Sequence, residues 1–143
     1  MNLRDDGDII RGLGFVALYA AYLEEATDEC VAALAKADSA LDQRLPKWPA
    51  SRKIEYCEKQ LEGLRSKEGE IERLRSALQA CSELLEWRND VLHGRIYAKY
   101  GEPDVRKSGR AGVPDREIAS GELYELAQHL FDACGPLIRT LNT

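Results

Sequence analysis

Apolar residues recur at three- and four-residue spacing along most of the chain, as in helices that bury one face. Ile9, Leu13, Val16, Ala20, Leu23, Cys30, Leu34 and Leu41 trace a first helix over about residues 8–42. Asp5, Asp6 and Asp8 suit the positive end of its dipole. Gly12 and Gly14 weaken its first turns, which predicts fraying there or a close approach to another backbone. Pro46 and Pro49 stop the helix and frame Trp48. A second stripe begins near Ser51 with Ile54, Cys57, Leu61 and Leu64, and its phase breaks at residues 66–69. A third runs from about Glu70 to His93 through Ile71, Leu74, Leu78, Cys81, Leu85 and Leu92, with Gly94 expected as a left-handed cap. The pattern fits either two separate helices over 51–65 and 70–93 or one bent helix.

Residues 98–119 carry Gly101, Pro103, Gly109, Gly112 and Pro114 and few apolar positions. They read as one long loop, and loops of this length in compact domains are functional or disordered. The last helix is expected to start at Ser120 as N-cap, with Leu123, Leu126, Leu130, Cys134, Leu137 and Leu141 inward. Gly135-Pro136 should kink it or split it. Strand signals are nearly absent; only 95–98 and 116–119 suit a brief pairing with each other. The expected fold is all-α: a single domain over residues 1–143, an antiparallel bundle of four or five helices with one long loop before the last.

Composition adds limits. A chain of 143 residues can bury roughly two-thirds of its unfolded surface in one core. Met1-Asn2-Leu3-Arg4-Asp5-Asp6 lacks the basic start and apolar stretch of a secretory leader. The longest nearly apolar run, Leu13 to Leu23, is too short to span a bilayer. A cytoplasmic protein without a membrane partner is expected. Cys30, Cys57, Cys81 and Cys134 lie far apart in no metal-binding spacing and fall on the apolar stripes, which predicts buried thiols in a reducing compartment. The net charge of −5 opposes general backbone-driven nucleic-acid binding. Between Arg95 and Arg116, however, six basic residues face three acidic ones, so that window is +3 and the remainder −8. It places Arg95 and Lys99, with Tyr97 as a stacking platform, as candidates for substrate phosphates and bases.

One position breaks the third seam. Arg88 falls between Leu85 and Leu92, where the spacing calls for another Leu. An unpaired buried charge costs several kcal/mol or more, so a partner surface or a wet cleft must meet it. Arg88 and His93 are five residues apart and point about 140° away from one another around a helix. Asn89 and His93, four apart, share a face. If two copies of this helix pack about a twofold axis, the Arg88 of each can meet the His93 of the other.

These residue types suit RNA cleavage by transesterification. Histidine can move a proton in either direction near neutrality. Arginine binds phosphate oxygens bidentately without losing its charge. The attacking 2′-hydroxyl belongs to the substrate, so neither a protein nucleophile, a metal nor another cofactor is required.

The string Arg88-Asn89-Asp90-Val91-Leu92-His93 resembles the motif of the HEPN superfamily: Arg, a polar residue, then His after four to six intervening positions. The motif's place at the end of a late helix is similar too. The resemblance implies a dimeric, metal-independent endoribonuclease with Arg88 and His93 catalytic and Asn89 supporting them, of the kind found in toxin–antitoxin and phage-defence systems. In one subgroup a Tyr two residues after the His is nucleotidylated by a partner antitoxin; here that place is Arg95. Plainer roles stand beside these. His93 can simply complement a helix C-terminus, and Arg88 can reach solvent or pair with Glu83, Glu86 or a distant carboxylate. The alternative function is a non-catalytic helical module that binds RNA, a nucleotide or a protein.

Overall fold

A computed structural model describes residues 3–35, 47–63, 68–97, 103–107 and 111–141. Among them the chain forms four helices and a small sheet: α1 (Ile9–Ala35), α2 (Ala50–Glu62), α3 (Glu68–Leu92), β1 (Arg95–Tyr97), β2 (Val105–Lys107), β3 (Arg116–Glu117) and α4 (Ser120–Leu141). The second and third stripes are thus two helices. Residues 36–42 of the expected first helix, with Leu41, and Leu64 of the second stripe lie outside the described residues.

Local chemistry sets the ends. The Asp8 carboxylate accepts from the Arg11 amide at 3.1 Å and caps α1. Ser120 opens α4, but its hydroxyl donates to Asp5 (3.1 Å) instead of capping. Gly135-Pro136 does not split α4, which runs as one helix through Pro136.

Most of the stripe residues read from the sequence form the core, with Ile9, Leu13, Leu34, Ile71, Leu92 and Cys134 half-buried at its margin. Val16, Leu23, Cys30, Leu78, Cys81, Leu123, Leu126, Leu130 and Leu137 are each 1% exposed or less. α1 packs against every other helix, and α3 against α2 and α4. The antiparallel expectation holds only in part. α1 and α4 run parallel: Asp6 meets Tyr124 near their starts, Tyr19 meets Phe131 further along, and Glu29 and Ile138 share a groove near their ends. α3 reverses against both, with Val91 and Leu92 beside Asp8 and Ile9 and with Trp87 bonded to Glu122. The parallel pair sits close at Gly12, where an added Cβ would lie 2.9 Å from the Leu123 Cβ.

The region read as one loop is partly a sheet. β2 pairs antiparallel with β1 (Ile96 opposite Arg106) and with β3 (Arg106 opposite Arg116). The segments at 95 and 116 therefore do not pair with each other; β2 stands between them. The alternation along the strands puts Ile96, Arg106 and Arg116 on the inner face and leaves Arg95, Tyr97 and Lys107 outside. No described helix is long and apolar enough to cross a membrane.

Candidate functional site

Arg88 does sit in the α3 seam, flanked by buried Leu85 and half-buried Leu92. Its counter-charge comes from the same chain. Arg88 Nη1 donates to Glu24 Oε1 of α1 at 2.9 Å, and the Arg88 side chain is 18% exposed. Its Nε is buried with no partner among the described residues. The distant carboxylate, rather than Glu83 or Glu86, is the one that meets it.

His93 follows the last residue of α3 and is exposed; its amide donates to the Asn89 carbonyl at 3.1 Å. Asn89, Asp90, His93, Gly94 and Arg106 line one small cleft of about 150 Å³. Arg88 does not line it. The structure thus brings Asn89 and His93 together and turns Arg88 away toward α1, as the helical angles require. A larger cleft of about 670 Å³, bordered by Arg73, Pro136 and Arg139, lies at the opposite end of α3.

Behind the cleft runs an ion-pair network that spacing alone does not reveal. Asp90 forms an ion pair with Arg106, whose Nη2 lies 3.1 Å from Oδ1, and accepts a hydrogen bond from Arg116 Nη2 at 2.8 Å. Arg116 also donates twice to Glu122, both at 2.6 Å, and Trp87 Nε1 donates to the same carboxylate at 2.9 Å. The Arg116 bonds hold the Glu122 pKa below its ordinary value, with Trp87 adding to the effect. The two carboxylates hold the Arg116 guanidinium above its own. Arg106 is the most buried charged group described, 2% exposed, and Nη2 also donates to the Pro114 carbonyl at 3.2 Å. The network staples the sheet to the ends of α3 and α4.

Gly94 serves this packing, not a left-handed cap. The described glycines with positive φ are Gly7 and Gly112. A Cβ at Gly94 would stand 2.8 Å from both the Arg106 Cγ and the Lys107 carbonyl oxygen, so only glycine lets β2 lie this close.

The basic window is divided by these contacts. Arg106 and Arg116 are spent on Asp90 and Glu122 and are not available as free phosphate ligands. Arg95, Tyr97 and Lys107 remain on the exposed face, with the Lys107 ammonium 5.2 Å from the Tyr97 ring centroid. Lys99 and Arg110 lie outside the described residues. Tyr97 is 49% exposed. His129 is exposed beside Glu125 and near the Trp87 ring, and Val91 is buried in the core.

The four cysteines are free thiols, three of them buried and Cys134 half-buried. Burial pushes the Cys81 thiol up to about 12. The neighbouring Cys30 and burial together hold the Cys57 thiol high. Among the described residues no group of three or more His, Cys, Asp and Glu is placed to hold a metal ion. Compared with family models, curated proteins and solved structures, the chain matches none.

Proposed function

We propose that this chain is a HEPN-type endoribonuclease that cleaves RNA by transesterification without a metal, with His93 as the proton-transfer group. The observation that supports this most is the exposure of His93 in one cleft with Asn89, at the end of α3 and two residues from the Arg95–Tyr97–Lys107 face. That arrangement leaves the imidazole open to a 2′-hydroxyl or a leaving 5′-oxygen, and offers cations and a ring to the flanking nucleotides.

Arg88 enters the reading through a second copy. Within one chain it points to α1 and cannot reach the substrate that His93 reaches. Across a twofold axis, each Arg88 meets the His93 of the other subunit. Glu24, 40% exposed, is then a counter-ion that an incoming phosphate displaces from Arg88. A role as a toxin or defence effector, with an antitoxin as protein partner, belongs to the same proposal.

The test is incubation of wild type, Arg88→Ala and His93→Ala with total RNA in EDTA. Cleavage leaving 2′,3′-cyclic phosphate ends is expected from wild type only. Unchanged cleavage by His93→Ala removes the mechanism. The second reading, a non-catalytic module binding RNA, a nucleotide or a protein, is favoured by the Arg88–Glu24 pair, which satisfies the charge without any substrate. A chain that binds RNA and never cuts it selects that reading.

A further inference from the structure

Seven large hydrophobic side chains are more than a third exposed among the described residues, and three of them, Tyr22, Phe131 and Ile138, line one groove. Leu18 (46%) and Tyr22 (49%) are one turn apart on α1, and Phe131 (37%) and Ile138 (42%) are two turns apart on α4. Between the parallel helices lies a groove of about 530 Å³. Its floor is small, made by Ala26, Cys134 and Gly135, and Tyr22, Phe131 and Ile138 form the walls. Stacked, tilted and edge-on ring contacts from Phe15 through Tyr19 to Tyr22 and Phe131 hold the walls in place. Small floor and bulky walls are what a helix needs to seat its apolar side chains at i, i+3/i+4 and i+7.

Charge selects the occupant. Glu25, Glu29 and Asp132 border the groove, in the part of the chain that carries the excess negative charge. In a twofold dimer this face would meet itself and set these carboxylates against their copies. Anionic surfaces are repelled for the same reason. We infer that the α1–α4 groove docks an amphipathic helix of a different protein, apolar on one face and rich in Lys and Arg along its borders. The inference does not depend on the ribonuclease reading: Arg88 and His93 are not in this groove.

A fluorescent Leu/Lys amphipathic peptide of roughly 18 residues, enough to hold a helix once bound, serves as probe, with its Leu/Glu counterpart as control. The Leu/Lys peptide should bind saturably and slow maleimide labelling of Cys134, the one half-buried thiol, which lines the groove floor. Tyr22→Glu with Ile138→Glu, both at exposed positions, should weaken binding by about tenfold or more. Glu25→Lys with Glu29→Lys should transfer the preference to the Leu/Glu peptide. Equal binding of both peptides, binding unaffected by these variants, or no binding overturns the inference. So does a wild-type dimer in sedimentation that Ile138→Glu dissociates, because a second copy is then the occupant.

Discussion

Arg88 of α3 donates to Glu24 of α1 at 2.9 Å, across 64 residues of sequence. The pair explains how a guanidinium occupies a leucine position without a partner chain, and it also makes Arg88's second role testable. Removing either side chain should cost stability, and a double-mutant cycle of Arg88→Ala with Glu24→Ala should give a coupling of about 0.5–1 kcal/mol for this partly exposed pair. Activity should separate the two residues. On the proposed ribonuclease reading, Glu24→Ala should leave RNA cleavage intact or raise it by freeing the guanidinium, whereas Arg88→Ala should abolish it. If both variants keep wild-type cleavage, Arg88 serves only the fold.

Asp90 lies inside the motif, and what it does is hold two arginines of the sheet. Asp90→Asn leaves the charge of Arg106, 2% exposed, without its counter-ion. Because Asp90 itself is 32% exposed, the loss should be somewhat below that of a fully buried pair, about 2–4 kcal/mol. Urea unfolding measures it. A variant as stable as wild type would show that the sheet is held by something other than this network.

The contrast between these two pairs shows what a linear pattern can carry. Arg88 stood out because a charge interrupted a long seam of known period, and the divergence of Arg88 and His93 followed from helical angles alone. Glu24 was one of many acidic residues on a solvated face, with nothing local to mark it. Arg106 is harder to read: in a three-residue strand the alternation is too short to see, so nothing in the sequence marks its inward direction among the six basic residues of that window. Its burial depends on Asp90 arriving from another element, a tertiary fact. The parallel course of α1 and α4 escaped for the same reason: stripes define which faces are buried and leave direction to the connections. At Gly94 the position marks a glycine but not its cause, since close approach of β2 and a positive φ both call for glycine.

Gly94→Ala tests that cause. The new methyl would sit 2.8 Å from the Lys107 carbonyl oxygen, a backbone atom that cannot rotate away, and as close to the Arg106 stem. The sheet must shift from α3, at a cost of about 1–3 kcal/mol. Amide exchange should quicken selectively in β1 and β2. An alanine variant with unchanged stability and exchange would show that close approach of β2 does not require glycine at this position.

The Glu122 carboxylate gives the network a pH dependence whose sign is defined. Its folded pKa lies below the ordinary 4.5 because Arg116, then Trp87, bond the ionised form. A depressed carboxylate stabilises the folded state above its unfolded pKa, and that contribution fades as pH falls through 4.5 toward the folded value. Glu122→Gln should therefore be less stable than wild type at neutral pH, by about 1–2 kcal/mol given that the group keeps some solvent. The gap should narrow steadily once the pH drops below about 4. Parallel urea titrations of the two proteins from neutral to acid pH read this directly. A gap that stays constant across the range would mean that Glu122 contributes packing and not charge, and that Arg116 is held by Asp90 alone.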